Sequence, residues 1–355
     1  CHPAKIGTKS MNFTPPTDKR IARLIDANLD RAREGLRVIE DWCRFGLENK
    51  ALVVQLKNWR HQLSLHHHEI YKEARSASSD QGALLNHPAQ INRKATNDVV
   101  AANCSRIQEA LRVLEEFTRI SDPQLAKNAS NIRYEIYELE LTLTKVNIKN
   151  KRVQKLKNCN LYLITTPQEG LLSTVSATIK EGVKMVQYRC KEGNDRQKIQ
   201  EAKELSSLCK MNNALLIIND RVDIALAADA DGIHLGQNDM PTEIARELLG
   251  EERIIGRSTH SIAELRKAEQ ERCDYVGIGP VFPSHNKTET KSIGLNSLSE
   301  MLKEACLPCF AIGGINTSNV KDVVSEGASR IAVLGAIMDT NDPILETRNL
   351  FNKLP

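Results

Sequence analysis

The sequence lacks the features that would assign it to a membrane, secreted or nucleic-acid-binding class. No apolar run approaches the roughly 18 residues of a membrane-spanning helix, and the first ten residues lack the apolar core of a signal peptide. The 49 basic and 45 acidic residues almost cancel, and a net charge of +4 leaves no cationic footprint for a nucleic acid. We therefore expect a soluble, cytoplasmic protein without membrane or nucleic-acid partners.

The chain also lacks a regular cysteine framework. Its nine cysteines are odd in number and scattered, which favours free thiols in a reducing compartment over disulfide bonds. Cys306 and Cys309 form a lone CxxC pair without the second pair that a zinc site needs. The run His66 to His68 is predicted to lie on one helix, where adjacent residues face different directions. No metal site is expected at either place.

The first part of the chain has the apolar spacing of helices and repeats itself. From Ile21 to Cys43 the apolar residues recur every three or four positions, and a second such pattern runs from Leu52 to Ala74, which predicts a helical hairpin. The first helix then recurs 75 residues later, which indicates a duplication. The matched pairs are Asn28 and Asn103, Arg31 and Arg106, Glu34 and Glu109, Leu36 and Leu111, Arg37 and Arg112, Val38 and Val113, Glu40 and Glu115, and Arg44 and Arg119.

This pattern predicts an all-α domain over residues 18–150, built from a duplicated helical hairpin. We expect a disordered lead over residues 1–17 and a linker over residues 151–158. Apolar packing does not explain why Asn, Arg and Glu repeat as well. These polar residues either tie the hairpins together through Arg–Glu pairs or line a pocket for an anionic ligand. This part of the chain has no glycine-rich phosphate-binding loop.

From Asn160 onward, a repeating pattern of strand, loop and helix replaces the helical pattern. Eight such units fit a (β/α)8 TIM barrel over residues 159–355, with an open doubly wound sheet as the alternative. Gly313-Gly314 and Gly335 close the last two strands, where this barrel commonly binds phosphate, and so they favour the barrel. The predicted strands are Leu161–Thr165, Met185–Arg189, Leu215–Ile218, Gly232–Leu235, Ile254–Arg257, Tyr275–Ile278, Phe310–Ile312 and Arg330–Val333.

Two neighbouring predicted strands each deliver an aspartate. Asp220 follows the third strand and Asp239 follows the fourth. Carboxylates from adjacent loops, with no Cys or His beside them, suit Mg²⁺, which takes one or two carboxylates and leaves its other positions for water and phosphate. The alternative is that both residues only cap the helices that follow.

Further polar residues follow the second, fifth and sixth strands. Strand alternation places Gln187, Arg189 and Lys191 on one side, Ser258 ends the fifth strand, and Lys287 lies in a long polar loop after the sixth. Together with the aspartates and glycines, these groups fit a diphosphate bridged by Mg²⁺ and a second phosphate. Each residue alone could be solvated or a helix cap, but their joint occurrence at strand ends favours a binding site.

Several motifs match a known family. They are Gln187-x-Arg189-x-Lys191, Asn219-Asp220, Asp231-Gly232-Ile233-His234-Leu235-Gly236-Gln237-x-Asp239, Gly256-x-Ser258-x-His260, Gly279-Pro280-Val281-Phe282-Pro283-Ser284-x-x-Lys287 and Gly313-Gly314-Ile315. Through these motifs, residues 158–355 resemble thiamine-phosphate synthase. The whole chain is similar to the cyanobacterial form, which carries an extra helical N-terminal domain.

The resemblance implies a set of site residues and Mg²⁺ as the cofactor. Asp220 and Asp239 would hold Mg²⁺. Catalysis by charge stabilisation would fall to Arg189, Lys191 and Lys287. The residues implied to bind hydroxymethylpyrimidine diphosphate are Gln187, Tyr188, Arg189, Cys190, Lys191, Asn219, Ser258 and Lys287, and those at the thiazole phosphate are Ser284, Gly314 and Gly335. The chain departs from the family at Ser284 and Asn286, where Thr is usual, and at Gly335, where Ser is frequent.

The resemblance also implies a condensation that needs no general base. The pyrimidine diphosphate would lose diphosphate to give a stabilised carbocation, which the thiazole nitrogen captures to form thiamine phosphate. The helical domain resembles one proposed to phosphorylate hydroxymethylpyrimidine monophosphate. The alternatives are a thiazole tautomerase, which the diphosphate set Gln187, Arg189, Lys191 and Asp220 disfavours, a non-enzymatic regulator, and a helical domain that serves only to form a homodimer.

Overall fold

A computed structural model of the chain describes residues 13–75, 95–283 and 291–355. The chain divides into two compact units, Cys1–Thr144 and Lys145–Pro355. Within the described ranges, no helix is both long and apolar enough to cross a membrane.

The helical unit packs its two duplicated helices into one core. The apolar stripe of the first helix buries Ile25, Leu29 and Leu36, and that of its copy buries Ile107 and Leu111 in the same cluster, as the spacing of three and four residues requires. The elements are α1 (Lys19–Asp41), a π-helical turn (Trp42–Gly46), α2 (Lys50–Leu65), α3 (Glu69–Glu73), α4 (Thr96–Phe117) and the start of α5 (Pro123–Lys157).

Two features of this unit differ from the expectations. The prediction that His66 to His68 lie on one helix is wrong, because α2 ends at Leu65 and α3 begins only at Glu69. Part of the expected lead is also packed, since the ring of Phe13 stacks on His68 with centroids 3.9 Å apart. Residues 1–12 lie outside the described residues.

A helix stands where the linker 151–158 was predicted, because α5 continues to Lys157. Arg152 Nε donates to Asp231 Oδ1 at 2.9 Å, and its NH1 group donates to the Glu252 carbonyl at 3.0 Å. Leu156 is fully buried in the cluster that fills the interior of the barrel. The many lysines of this segment resemble a linker in composition, but Arg152 and Leu156 give its helix specific contacts within the second unit.

The second unit is a closed barrel of eight parallel strands in the order β1 to β8, which confirms the predicted barrel and excludes the open sheet. Inward side chains such as Tyr162 and Phe310 fill the interior, while alternate residues such as Leu163 and Val186 pack under the helices. The strands are β1 (Leu161–Ile164), β2 (Met185–Tyr188), β3 (Leu215–Asn219), β4 (Gly232–Leu235), β5 (Ile254–Thr259), β6 (Tyr275–Ile278), β7 (Cys309–Ile312) and β8 (Ile331–Val333). The helices are α6 (Leu171–Lys180), α7 (Asp195–Met211), α8 (Val222–Ala227), α9 (Thr242–Leu249), α10 (Ile262–Gln270), α11 (Gly294–Glu304), α12 (Val320–Ser325), α13 (Gly335–Met338) and α14 (Pro343–Phe351).

Candidate active site

A cavity of about 750 Å³ opens at the carboxyl ends of the barrel strands. Parallel strands bring the loops that follow them to one end of the barrel, so residues far apart in sequence meet there. The predicted site residues that line this cavity are Gln187, Arg189, Lys191, Asn219, Asp220, Asp239, Ser258, Gly314 and Gly335.

The two aspartates face each other across the ends of β3 and β4. The backbone N–H of Asp220 donates to the His234 carbonyl at 2.9 Å, and Asp239 Oδ2 accepts from the Gly236 N–H at 2.6 Å. Burial and the neighbouring Asp239 carboxyl raise the pKa of Asp220 to about 6. Neither aspartate caps a helix, since α8 and α9 begin after Arg221 and Pro241 without a side-chain cap. A pair of carboxylates that resist simultaneous ionisation is a fitting site for a divalent cation.

The basic side of the cavity comes from β2 and the loop after it. Gln187 is buried, Arg189 is half-buried and Lys191 is exposed, and all three line the cavity as strand alternation requires. Lys191 lies close enough to Asp220 to oppose the rise in its pKa. Cations and carboxylates therefore meet at one edge of the cavity, as a metal-bridged diphosphate requires.

Tyr188 and Cys190, which the resemblance assigns to substrate binding, have their side chains on the other side of the strand. The Tyr188 hydroxyl donates to Glu201 Oε2 on α7 at 2.7 Å, in the layer between the strands and the helices. Cys190 packs against that same layer, and its thiol donates to the Glu192 carbonyl at 3.0 Å. Neither side chain lines the cavity.

A chain of hydrogen bonds crosses the floor of the cavity. Gln187 Nε2 donates to the Tyr162 hydroxyl at 2.7 Å, and this hydroxyl lies 2.9 Å from that of Tyr275. His234 joins the Tyr275 hydroxyl through Nδ1 at 3.0 Å and the Ser258 hydroxyl through Nε2 at 3.0 Å. We call Tyr162, Tyr275 and His234 the floor relay. It fixes the orientation of Gln187 and Ser258, the two predicted site residues at its ends.

The loops after β7 and β8 bring backbone close to the cavity. Gly313 has a φ of +99°, and a Cβ atom there would lie 2.4 Å from Pro280 Cβ, so only glycine fits. Gly335 begins α13, and a Cβ atom there would lie 2.6 Å from Asp339 Oδ2. A side chain at position 335 would therefore require the Asp339 carboxylate to move.

The predicted site residues and the residues that line the cavity overlap only in part. Ser284, Asn286 and Lys287 lie outside the described residues. The unpredicted lining includes Tyr162, Phe310, Asn316 and Asp339. Strand alternation could have identified Tyr162 and Phe310 as inward-facing, whereas no motif marks the other two.

The duplicated polar residues of the helical unit make matching contacts. The Asn28 and Asn103 amides each donate to a carbonyl one turn earlier, Leu24 and Val99, at 2.8 Å. This equivalence is what a structural duplication predicts, and it leaves these amides in local roles.

Arg–Glu ion pairs also link the two helices of each hairpin, but their arginines are not among the repeated residues. The fully buried Glu40 lies 3.0 Å from Arg60 of α2, and Glu115 lies 3.0 Å from Arg133 of α5. Arg37 and Arg112 remain about half-exposed and pair along their own helices.

Known proteins match both parts of the chain. The family model described as "Thiamine monophosphate synthase" matches residues 161–337, and that of the "ThiD2 family" matches residues 23–142. The chain is 56% identical over 351 residues to the thiamine-phosphate synthase of Prochlorococcus marinus (strain MIT 9313), covering 98% of this chain and 99% of that protein. It is 54% identical over 347 residues to the thiamine-phosphate synthase of Synechococcus sp. (strain CC9605), covering 97% and 99%.

A solved structure resembles the barrel. The thiamine phosphate pyrophosphorylase from Pyrococcus furiosus is 37% identical, with a TM-score of 0.51, and the match covers 56% of this chain and 96% of that one. With full-length relatives at this level of identity, the chain belongs to the thiamine-phosphate synthase family.

Proposed function

We propose that the barrel condenses hydroxymethylpyrimidine diphosphate with thiazole phosphate to give thiamine phosphate and diphosphate. One observation carries the proposal: a single cavity at the strand ends is lined by cations, carboxylates and amides of the family motifs, namely Arg189, Lys191, Asp220, Asp239, Gln187 and Asn219. A diphosphate needs that combination of charges, whereas a tautomerase acting on the thiazole alone does not.

The pyrimidine diphosphate would lie along the β2–β4 edge of the cavity. The bond that breaks joins the pyrimidine methylene carbon to a diphosphate oxygen, and the oxygen keeps the electron pair. Arg189 and Lys191 stabilise the growing negative charge, and the resemblance assigns Lys287 to the same task. Gln187 and Ser258, held by the floor relay, orient the pyrimidine, and Asn219 lies beside them.

The carboxylates of Asp220 and Asp239 fit Mg²⁺ by their oxygen donors and by the raised pKa of Asp220, which reflects burial first and the neighbouring Asp239 carboxyl second. They would hold the ion at the diphosphate, and the ion would supply neutralising charge there.

The thiazole phosphate would lie at the opposite edge, against Gly314 and Gly335, with Ser284 assigned there by resemblance alone. This placement directs the thiazole nitrogen lone pair at the methylene carbon, where the new C–N bond forms. The step needs no proton transfer, so positioning and charge stabilisation account for catalysis.

The reaction would take place in the cytoplasm. This location agrees with the eight described cysteines, which are all free.

The test incubates the purified chain with both substrates and Mg²⁺ and measures thiamine phosphate by mass spectrometry. We expect product that depends on both substrates, and loss of turnover in Arg189→Ala. A parallel incubation of thiazole phosphate alone, followed by NMR, detects tautomerisation. Isomerised thiazole phosphate without any condensation product would refute the synthase and support the tautomerase.

For the helical unit we propose hydroxymethylpyrimidine-monophosphate kinase activity as a second function. The observation that favours it is the match to the ThiD2 family over residues 23–142. Arg37 and Arg112 occupy equivalent positions on α1 and α4 and are about half-exposed, so both can reach an anion. A ligand-binding role also explains why these arginines repeat although they do not tie the hairpins together.

The kinase test uses the full chain with ATP and the pyrimidine monophosphate and measures ADP and pyrimidine diphosphate. Arg37→Ala and Arg112→Ala should reduce both products, whereas Arg20→Ala, an exposed arginine outside the repeat, should not. A chain with an active synthase site that forms no ADP would leave the helical unit a structural or dimerising role.

A further inference from the structure

The break between α2 and α3 brings two histidines to one carboxylate. His66 Nδ1 lies 2.8 Å and His68 Nε2 lies 3.7 Å from Asp122 Oδ2. His66 and Asp122 are largely buried, and His68 is about one-third exposed. The three side chains therefore converge on one point, which residues of a single helix at these positions could not do.

The spacing of these atoms fits a coordinated metal. The three ligand atoms all lie within 4.8 Å of one another. Zinc holds four ligands tetrahedrally at about 2.0–2.2 Å, which places its ligand atoms about 3.3–3.6 Å apart. Small movements of the two rings would bring the observed distances into this range. Two imidazoles and one carboxylate suit zinc and related transition metals better than Mg²⁺.

The surroundings of Asp122 leave one oxygen available for a ligand. Oδ1 accepts the Leu125 N–H at 2.9 Å and so caps α5, while Oδ2 faces the two histidines. Asn128 Nδ2 lies 3.2 Å from His66 Nε2. A metal at Nδ1 would leave the ring proton on Nε2, so the Asn128 amide would have to turn and accept that proton with its oxygen, as outer partners do at metal sites.

Two buried hydroxyls lie beside this cluster. They belong to Tyr71 and Ser121, which lie close to each other, and Tyr71 also lies close to Asp122. A metal-bound water at Asp122 would have these hydroxyls as further polar neighbours.

A second cluster of histidine and aspartate in the same unit is already paired with arginine. His67 Nε2 lies 2.7 Å from Asp26 Oδ1, but Arg75 donates to both Asp26 oxygens at 2.7 and 3.0 Å. Arg33 NH1 also lies 3.2 Å from His67 Nδ1. These guanidinium groups already neutralise the carboxylate and would repel a cation. Within the described residues, the ion pairs of Asp122 involve only histidines, which can become neutral and bind metal.

We propose that His66, His68 and Asp122 form a binding site for a divalent transition metal of the zinc type, with the remaining coordination position open on the side of Tyr71 and Ser121. The site belongs to the helical unit and is chemically distinct from the all-oxygen pair in the barrel. It requires neither the synthase nor the kinase activity.

The test counts bound metal in the full chain carrying Asp220→Asn and Asp239→Asn, so that the barrel carboxylates cannot contribute. After removal of metal with a chelator and dialysis against Zn²⁺, mass spectrometry should find one zinc ion per chain. His66→Ala and Asp122→Asn should each raise the Kd for Zn²⁺ at least about 100-fold, since loss of even an outer partner costs about 10–100-fold. Asp122→Asn retains a side chain that can cap α5.

His67→Ala is the matched control and should keep the zinc. Co²⁺ provides a second readout, because four-coordinate Co²⁺ with imidazole ligands absorbs visible light, and His68→Ala should abolish that absorption. Circular dichroism establishes that each variant is folded. The proposal fails if the parent chain binds no zinc, if folded His66→Ala binds as tightly as the parent, or if His67→Ala loses the metal to the same extent.

Discussion

Charged side chains are used in opposite ways in the barrel and in the helical unit. At the barrel mouth, Asp220 and Asp239 face each other and Lys191 lies nearby without neutralising the pair. In the helical unit, the buried Glu40 is matched by Arg60, and Asp26 by Arg75. Charges that are paired with an opposite charge within the protein stabilise its structure, whereas unpaired charges that line a cavity can bind a ligand. The two histidine clusters of the helical unit differ in the same way. Asp26 is paired with Arg75, whereas the ion pairs of Asp122 within the described residues involve only histidines.

The largest effect should come from the unmatched charges of the barrel. Asp220→Asn and Asp239→Asn should each lower kcat about 100- to 1000-fold at limiting Mg²⁺, because each loss leaves the diphosphate underneutralised. Asn tolerates the left-handed backbone of Asp220, whose φ is +59°, so the fold should survive. Steady-state kinetics over a range of Mg²⁺ concentrations would measure the effect.

The matched control is Asp229→Asn, which also keeps a left-handed backbone. Asp229 precedes β4 at the other end of the barrel and pairs with Lys210 and Arg253. Its loss should leave kcat and the Mg²⁺ dependence unchanged. Equal kcat values for Asp239→Asn and Asp229→Asn would contradict a metal-binding role for Asp239.

A second prediction concerns the helix that replaces the expected linker. Leu156→Ala should lower the free energy of unfolding of the barrel by about 2–5 kcal/mol, because it leaves a cavity in the barrel interior. Urea unfolding followed by synthase activity would report it. The exposed Lys157→Ala should be nearly neutral. If Leu156→Ala were equally neutral, residues 151–158 would behave as the linker that the composition suggested.

The third prediction concerns the ion pair between Arg60 and the buried Glu40. Arg60→Ala should lower the free energy of unfolding of the helical unit by about 3 kcal/mol, because it leaves the fully buried Glu40 without its closest cation. Arg37→Ala should cost about 0–1 kcal/mol, because Arg37 is half-exposed. Thermal melts of the full chain would compare them. An equal loss of stability in both variants would show that Arg37 stabilises the buried Glu40 as much as Arg60 does.

The barrel site was predictable because strand order and motif order coincide. Once eight strands were assigned, Asp220 and Asp239 had to lie on adjacent loops, and Gln187, Arg189 and Lys191 on one face. The floor relay was not predicted, since Tyr162 and Tyr275 are apolar-strand residues whose hydroxyls meet only when the barrel closes. Their contact joins β1 to β6, which no local pattern reveals.

The helical unit was less predictable for a related reason. The duplication identified α1 and α4 but not the chain between them, so the helix end at Leu65 was missed. The histidines after it meet Asp122, more than 50 residues away, through tertiary packing alone. Periodicity describes the faces of helices, whereas breaks between helices are set by packing and capping.

The smallest effect should come from the floor relay, and it tests whether the relay positions groups or only fills space. Tyr275→Phe keeps the ring and removes the hydroxyl that joins Tyr162 to His234. Leaving those partners incompletely bonded should cost about 1–2 kcal/mol of stability, and the looser Gln187 and Ser258 should lower kcat/KM up to about tenfold. Tyr188→Phe is the control, because its hydroxyl bonds to Glu201 outside the barrel interior. It should lose comparable stability while kcat/KM for the pyrimidine diphosphate stays at the parent value. A fall in kcat/KM that is the same in both variants would mean that the loss follows stability, and the relay would then have no separate positioning role.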